Sequence, residues 1–174
     1  VDEKGRKKSR YMPGEARVSG DPLASEAFHG GFNQARFAGH LEAPAGWRVY
    51  DVDLAGAYAS AMASIPAIDF DTLPISTTDL AQIMRLFRDE CLVVAHVEFS
   101  FPEQILDPCL PVATSRGLQY PLSGTSYCTG PELALAIKMG ANVTIHKAEA
   151  WATIPGQYMY VDYLSGMMAE RGKH

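Results

Sequence analysis

Asp51 and Asp53 stand two residues apart in the segment Val49-Tyr-Asp-Val-Asp-Leu-Ala-Gly-Ala-Tyr-Ala-Ser-Ala-Met62, where an apolar run gives way to a turn of small residues. A carboxylate at the end of an extended segment suits Mg2+ (or Mn2+), which takes hard oxygen ligands and keeps waters and substrate phosphates for the rest of its shell. The residues that follow, Gly56 to Tyr58, open a helix. The first N–H groups of a helix have no acceptor inside it and favour an anion such as a triphosphate. A metal site beside a phosphate site is the chemistry to expect here. Taken singly, each residue has a plainer reading: Asp53 caps a helix, and Tyr58 is a half-buried core aromatic.

The elements that must position these groups can be read from periodicity. Residues 47 to 53, Trp-Arg-Val-Tyr-Asp-Val-Asp, alternate aromatic and β-branched residues and predict a strand with Asp51 and Asp53 on one side. Ala55 to Ser64 is helix-permissive and Pro66 stops it. Further on, Ser76-Thr-Thr-Asp79 offers caps for a helix whose apolar face is Leu80, Ile83, Met84 and Phe87. Cys91 to Phe99 predicts a central strand, with His96 and Glu98 on one face. Thr129-Gly-Pro-Glu132 carries a capping-box pair ahead of the helical run Leu133 to Met139, which Gly140 ends. Asn142 to Trp151 predicts another strand, and Tyr160, Val161, Leu164, Met167 and Met168 a last amphipathic helix. Strands and helices in irregular order give an α+β fold.

Composition narrows the function classes. The 174 residues are 47% hydrophobic, enough to fill a core. The net charge of −5 makes the whole chain a poor electrostatic match for nucleic acid. Charge is uneven, however. Residues 1–48 hold eight Lys/Arg against six Asp/Glu, whereas residues 49–174 hold seven against fourteen. Residues 1–27, with Lys4, Arg6, Lys7, Lys8 and Arg10 among turn formers, read as a basic linker or arm. Three cysteines, Cys91, Cys109 and Cys128, with no C-x-x-C spacing, read as reduced thiols in a cytoplasmic protein. No apolar run is long enough to span a membrane. Of the five histidines, His29, His40, His96 and His146 have no mutual spacing that suggests a ligand set. The chain starts without Met and stops in the polar run Glu170 to His174, which suggests a fragment of something longer. P-loop, dinucleotide and zinc-protease motifs are absent.

Asp53-Leu-Ala-Gly-Ala-Tyr58-Ala-Ser60 resembles the Asp-x-x-Ser-Leu-Tyr-Pro-Ser motif of family B DNA polymerases, with identity at the Asp, the Tyr and the last Ser. Gly56, Ala57 and Ala59 replace the usual Ser, Leu and Pro. Upstream, Phe28-His-Gly30-Gly31 resembles the Tyr-x-Gly-Gly element of the same family, especially its protein-primed members, with Phe in place of Tyr. The stretch from Pro108 to Gly140 is similar to the region after the first Asp motif in viral and organellar members. All three likenesses occur in the family's order.

The resemblance implies that residues 28–174 are a partial polymerase palm, a β-sheet with packed helices, encoded by a virus, phage, plasmid or mobile element. The reaction would be template-directed transfer of a nucleotide from a dNTP to a primer 3′-OH by two-metal catalysis. Asp53 would be the catalytic, metal-bridging carboxylate and the Leu54 carbonyl a further metal ligand. Gly56, Ala57 and Tyr58 would bind the nucleotide, Tyr58 stacking under its sugar to exclude a 2′-OH. Phe28, Gly30 and Gly31 would contact DNA, so that the partners are a primer-template, a dNTP and a terminal protein as primer. The fingers motif Lys-x-x-x-Asn-Ser-x-Tyr-Gly and the second Asp motif Tyr-x-Asp-Thr-Asp are absent. A remaining polymerase half, covalent or separate, is therefore a further partner, and the chain alone should be inactive. Two alternatives stay open: a DNA-binding remnant or split-polymerase subunit without turnover, and a metal-dependent glycosyltransferase built on Asp51-Val-Asp53.

Overall fold

The computed structural model describes residues 22–33, 38–115 and 117–171, so residues 1–21 of the expected basic arm lie outside the described residues. The chain divides into two compact units. The first takes residues 1–28 and 68–155, and the second residues 29–67 and 156–174. Helices and antiparallel strands are mixed in irregular order, as the α+β reading requires.

The first unit is a four-stranded antiparallel sheet with helices on it. Its strands are β2 (Ile75–Thr77), β3 (Leu92–Ser100), β6 (Ser123–Thr129) and β7 (Asn142–Trp151), in the spatial order β2-β7-β3-β6. Alternation along β3 sends Val93, Ala95, Val97 and Phe99 into the core and leaves Leu92, Val94, His96, Glu98 and Ser100 on the opposite face. Helix α3 (Leu80–Arg88) and helix α4 (Gly130–Lys138) supply Ile83, Leu133 and Ala136 to that core. Asp79 starts α3 by accepting from the amides of Ala81 at 2.8 Å and Gln82 at 3.3 Å. The capping box of α4 forms as its sequence predicts: Glu132 Oε2 accepts from the Thr129 amide at 2.8 Å and the Thr129 hydroxyl at 2.7 Å. Gly130 is required there, because a Cβ would lie 2.6 Å from Phe87 Cδ2 and 3.1 Å from Val93 Cβ. Just past the C-cap of α3, Glu90 has a φ of 65°, which puts a non-glycine residue in the left-handed region. A hairpin of β4 (Val112–Thr114) and β5 (Gly117–Gln119) completes the strands of this unit.

Part of the expected arm is structured. Pro22–Glu26 forms a short helix, α1, and Leu23 and Ala27 are buried at 3% and 4% exposure. An i, i+4 apolar pair suffices to seat one helical turn against β3, and that contact outweighs the turn formers around it.

The second unit holds helix α2 (Ala57–Ala63) and helix α5 (Val161–Arg171), which pack together. Ser64 closes α2 by donating its hydroxyl to the Ala61 carbonyl at 2.7 Å, just ahead of Pro66. The chain passes between the units along β1 (Pro66–Ile68) and β8 (Thr153–Tyr158), which pair as a two-stranded ribbon. The strand expected over residues 47–53 is not formed. This segment has no regular structure and its large side chains are exposed, Val52 at 87%. A strand needs a neighbour to satisfy its backbone groups, and among the described residues no segment pairs with it.

Candidate functional site

Asp51, Asp53, Leu54, Gly56, Ala57, Tyr58, Gly30 and Gly31 all belong to the second unit, whereas Phe28 is the last residue counted with the first. Both aspartates are exposed, on irregular chain rather than on one face of a strand. A tight turn then leads into α2, with the Ala57 amide donating to the Leu54 carbonyl at 3.3 Å and the Ser60 amide to the Gly56 carbonyl at 2.9 Å. Gly56 caps the helix with φ 69° and ψ 22°, a left-handed conformation that a Cβ penalises. Its departure from the Ser of the resembled motif thus agrees with the backbone this turn adopts.

The donors fit a hard cation in kind. Asp53 offers carboxylate oxygens to solvent, and the Leu54 carbonyl keeps a lone pair after its long bond to Ala57. In number they fall short of a closed site. Among the described residues no three His, Cys, Asp or Glu side chains are gathered to hold a metal ion. The Tyr58 amide, at the second helical position, has no acceptor inside α2. The Tyr58 ring is 84% exposed. Gly31 approaches its hydroxyl, since a Cβ built at Gly31 would lie 4.0 Å from Tyr58 Oη, while one at Gly30 would meet nothing within 4 Å. Gly31 and Tyr58, 27 positions apart in sequence, thus lie near one another.

The chain is similar to a DNA polymerase. It is 38% identical over 123 residues to the primer-independent DNA polymerase PolB of Escherichia coli, a match that takes in 68% of this chain. The chain spans 13% of the length of that curated relative. No protein-family model matches it, and no solved structure matches it.

The sheet of the first unit gathers a second set of side chains that spacing alone did not reveal. His96 stacks on Tyr127 with ring centroids 4.2 Å apart and planes 6° from parallel. His146 tilts against His96 at 5.0 Å, and its Nε2 lies 3.9 Å from Glu98 Oε2. The cause is a bulge. His96 faces Lys147 across β7 but Val97 faces Ile145, which leaves His146 as the extra residue and turns it beside His96. Burial, reinforced by His146, holds the His96 imidazole below the usual histidine range. The three cysteines are free thiols, and burial pushes Cys128 up to about 12. No helix among the described residues is long and apolar enough to cross a membrane.

Proposed function

We propose that this chain is part of a family B DNA polymerase and contributes one of the carboxylates and the sugar-contacting tyrosine of its nucleotidyl-transfer site. The observation that carries this reading is the 38% identity over 123 residues to a DNA polymerase. It is supported by the shared location of Asp53, Tyr58 and the glycine pair in one unit. Asp53 and the Leu54 carbonyl would hold Mg2+, which supplies charge neutralisation at the phosphates when bound. The turn at Gly56 to Tyr58 brings backbone and ring toward a dNTP: the Tyr58 amide faces an anion, and the ring lies under the sugar, where it excludes a 2′-OH. Gly30 and Gly31 allow close approach of backbone to template or primer phosphates. Because two metals need more than one carboxylate, catalysis requires residues this chain does not contain.

The testing experiment is Mg2+-dependent binding of dATP to the chain, followed by titration calorimetry, with Asp53→Ala beside the wild type. Wild-type binding that is lost in Asp53→Ala, without primer extension by either protein, is the expected result. Binding indifferent to Mg2+ and to Asp53 overturns it, and tighter metal-dependent binding of UDP-sugars than of dATP overturns it in favour of the glycosyltransferase. The non-catalytic reading, a DNA-binding subunit, rests on the single carboxylate. It requires primer-template binding that weakens steeply with salt. The relative's name says that it works without a primer. Whether a terminal protein primes this polymerase is decided by adding the missing half and scoring synthesis on template alone.

A further inference from the structure

The face of the sheet opposite the core carries three metal-ligating groups from two strands. His96 and Glu98 alternate along β3, and the bulge in β7 brings His146 beside both. Their spacing can be compared with what one ion requires. With zinc–nitrogen bonds of about 2.1 Å and ring centres about 1.1 Å behind the nitrogens, two imidazoles on one tetrahedral ion have centres about 5.2 Å apart. The His96 and His146 centres are 5.0 Å apart. Their planes are tilted by 43°, so lone pairs in the two planes can meet at one point, as those of parallel stacked rings cannot. A nitrogen and a carboxylate oxygen on the same ion lie about 3.4 Å apart. His146 Nε2 and Glu98 Oε2 are at 3.9 Å, near that separation and too long for a hydrogen bond. Among the described residues no three such side chains already surround one point. Here the carboxylate is what must move, and with 67% of its side chain exposed Glu98 has room to turn. Two neighbours favour the arrangement. Tyr127 stacks on His96 at 4.2 Å and fixes the plane of that ring. Lys147, which faces His96 across the sheet, has its ammonium 2.6 Å from Glu149 Oε1, so its charge is balanced there rather than set against a cation.

We propose that His96, His146 and Glu98 bind a divalent transition-metal cation of the Zn2+ class on this face of the sheet, with water in the fourth position. Two imidazoles and one carboxylate suit such a borderline ion, whereas Mg2+ takes oxygen ligands. The ion ties β3 to β7 at the bulge, where the ladder of backbone bonds is locally disrupted. The site lies in the first unit and does not rest on the reading of Asp53 or on polymerase activity.

The test titrates the full chain with Zn2+ alone by calorimetry, without nucleotide, and with Co2+ as a coloured stand-in. His96→Gln, His146→Gln and Glu98→Gln should each lower Zn2+ affinity by more than about tenfold, since even loss of an outer-shell partner costs a metal site that much. His40→Gln, at the exposed pair with Glu42, and Asp53→Ala should bind Zn2+ like the wild type. The cobalt spectrum should lack the near-ultraviolet charge-transfer band of a thiolate, which separates this site from one built on the free cysteines. Because an ion bound to the folded state stabilises it, Zn2+ should raise the urea midpoint of the wild type and not that of His146→Gln. Metal-free amide spectra verify that the variants fold, and His146 and Glu98, with 44% and 67% of their side chains exposed, can be replaced without touching the core. Zinc affinity that survives any of the three glutamine substitutions, a thiolate band, or no binding of either metal overturns the inference. Failure of dATP binding in the Asp53 experiment bears on the proposed function and leaves this site standing.

Discussion

The two units invest their apolar residues in opposite ways. Every buried hydrophobic side chain among the described residues belongs to the first unit, where thirteen of them form one cluster around Val97, Leu133 and Ile83. In the second unit neither helix buries a single residue, and Trp47, Tyr50, Val52, Leu54 and Tyr58 are each exposed by 74% or more. The candidate site residues, Phe28 apart, are all in that second unit. Structure and candidate chemistry are thus separated: one unit supplies its own hydrophobic stabilisation, and the other displays reactive and apolar groups that its own packing does not cover.

This contrast can be broken most decisively in the core. Leu133→Ala, at a site with 0% exposure, should cost about 2–5 kcal/mol of urea-measured stability. Leu54→Ala, at 76% exposure, should stay within about 0.5 kcal/mol. Equal costs would mean that the second unit is as well packed as the first. Gly130→Ala should cost about 1–3 kcal/mol by overpacking, since the new methyl meets Phe87 at 2.6 Å. A neutral outcome would show that Phe87 moves aside freely.

A smaller effect of opposite sign is expected at Glu90, where glycine removes the left-handed strain at φ 65° and should gain about 1 kcal/mol. The Glu90 carbonyl, which accepts from the Thr153 hydroxyl at 3.1 Å, is retained in that variant. The smallest effect is on pH dependence. The His96 imidazole lies below its ordinary value of 6.5 in the fold, so the unfolded chain takes up this proton first as pH falls. Its contribution is therefore neutral above that value and turns destabilising as pH drops from 6.5 toward the folded value. The urea midpoint should fall between pH 7.5 and 5.5, and fall less in His146→Gln, which removes the second of the two causes that lower His96. An identical fall in both proteins would leave the histidine pair without a role in the titration.

The sequence made the first unit legible wherever signals were local. Asp79 and the Thr129–Glu132 pair mark helix starts by their own hydrogen bonds, and alternation through Leu92 to Phe99 is complete within one strand. It failed where the answer depended on distant chain. Trp47 to Asp53 alternates like a strand, but alternation does not supply the neighbour a strand needs. His146 looked unrelated to His96 because the bulge that joins them is a property of pairing between β3 and β7, invisible along either one. At the candidate site, residue types were legible and proximity was not: nothing between positions 31 and 58 announces that Gly31 lies near the Tyr58 hydroxyl.

The β1–β8 ribbon has one more consequence. The chain leaves the second unit at Ile68 and returns at Gly156, and both ends of the excursion are clamped, by Asp69 N–H to the Ala152 carbonyl at 2.9 Å and by Met159 N–H to the Ile65 carbonyl at 3.0 Å. Paired strands lie about 5 Å apart, so residues 69–152 form a closed loop whose ends already meet. Such a loop carries the entropy of its closure whatever its length, and that entropy grows only with the logarithm of the residues inside it. A segment with this geometry can change in length with little effect on the closure that the β1–β8 pairing provides.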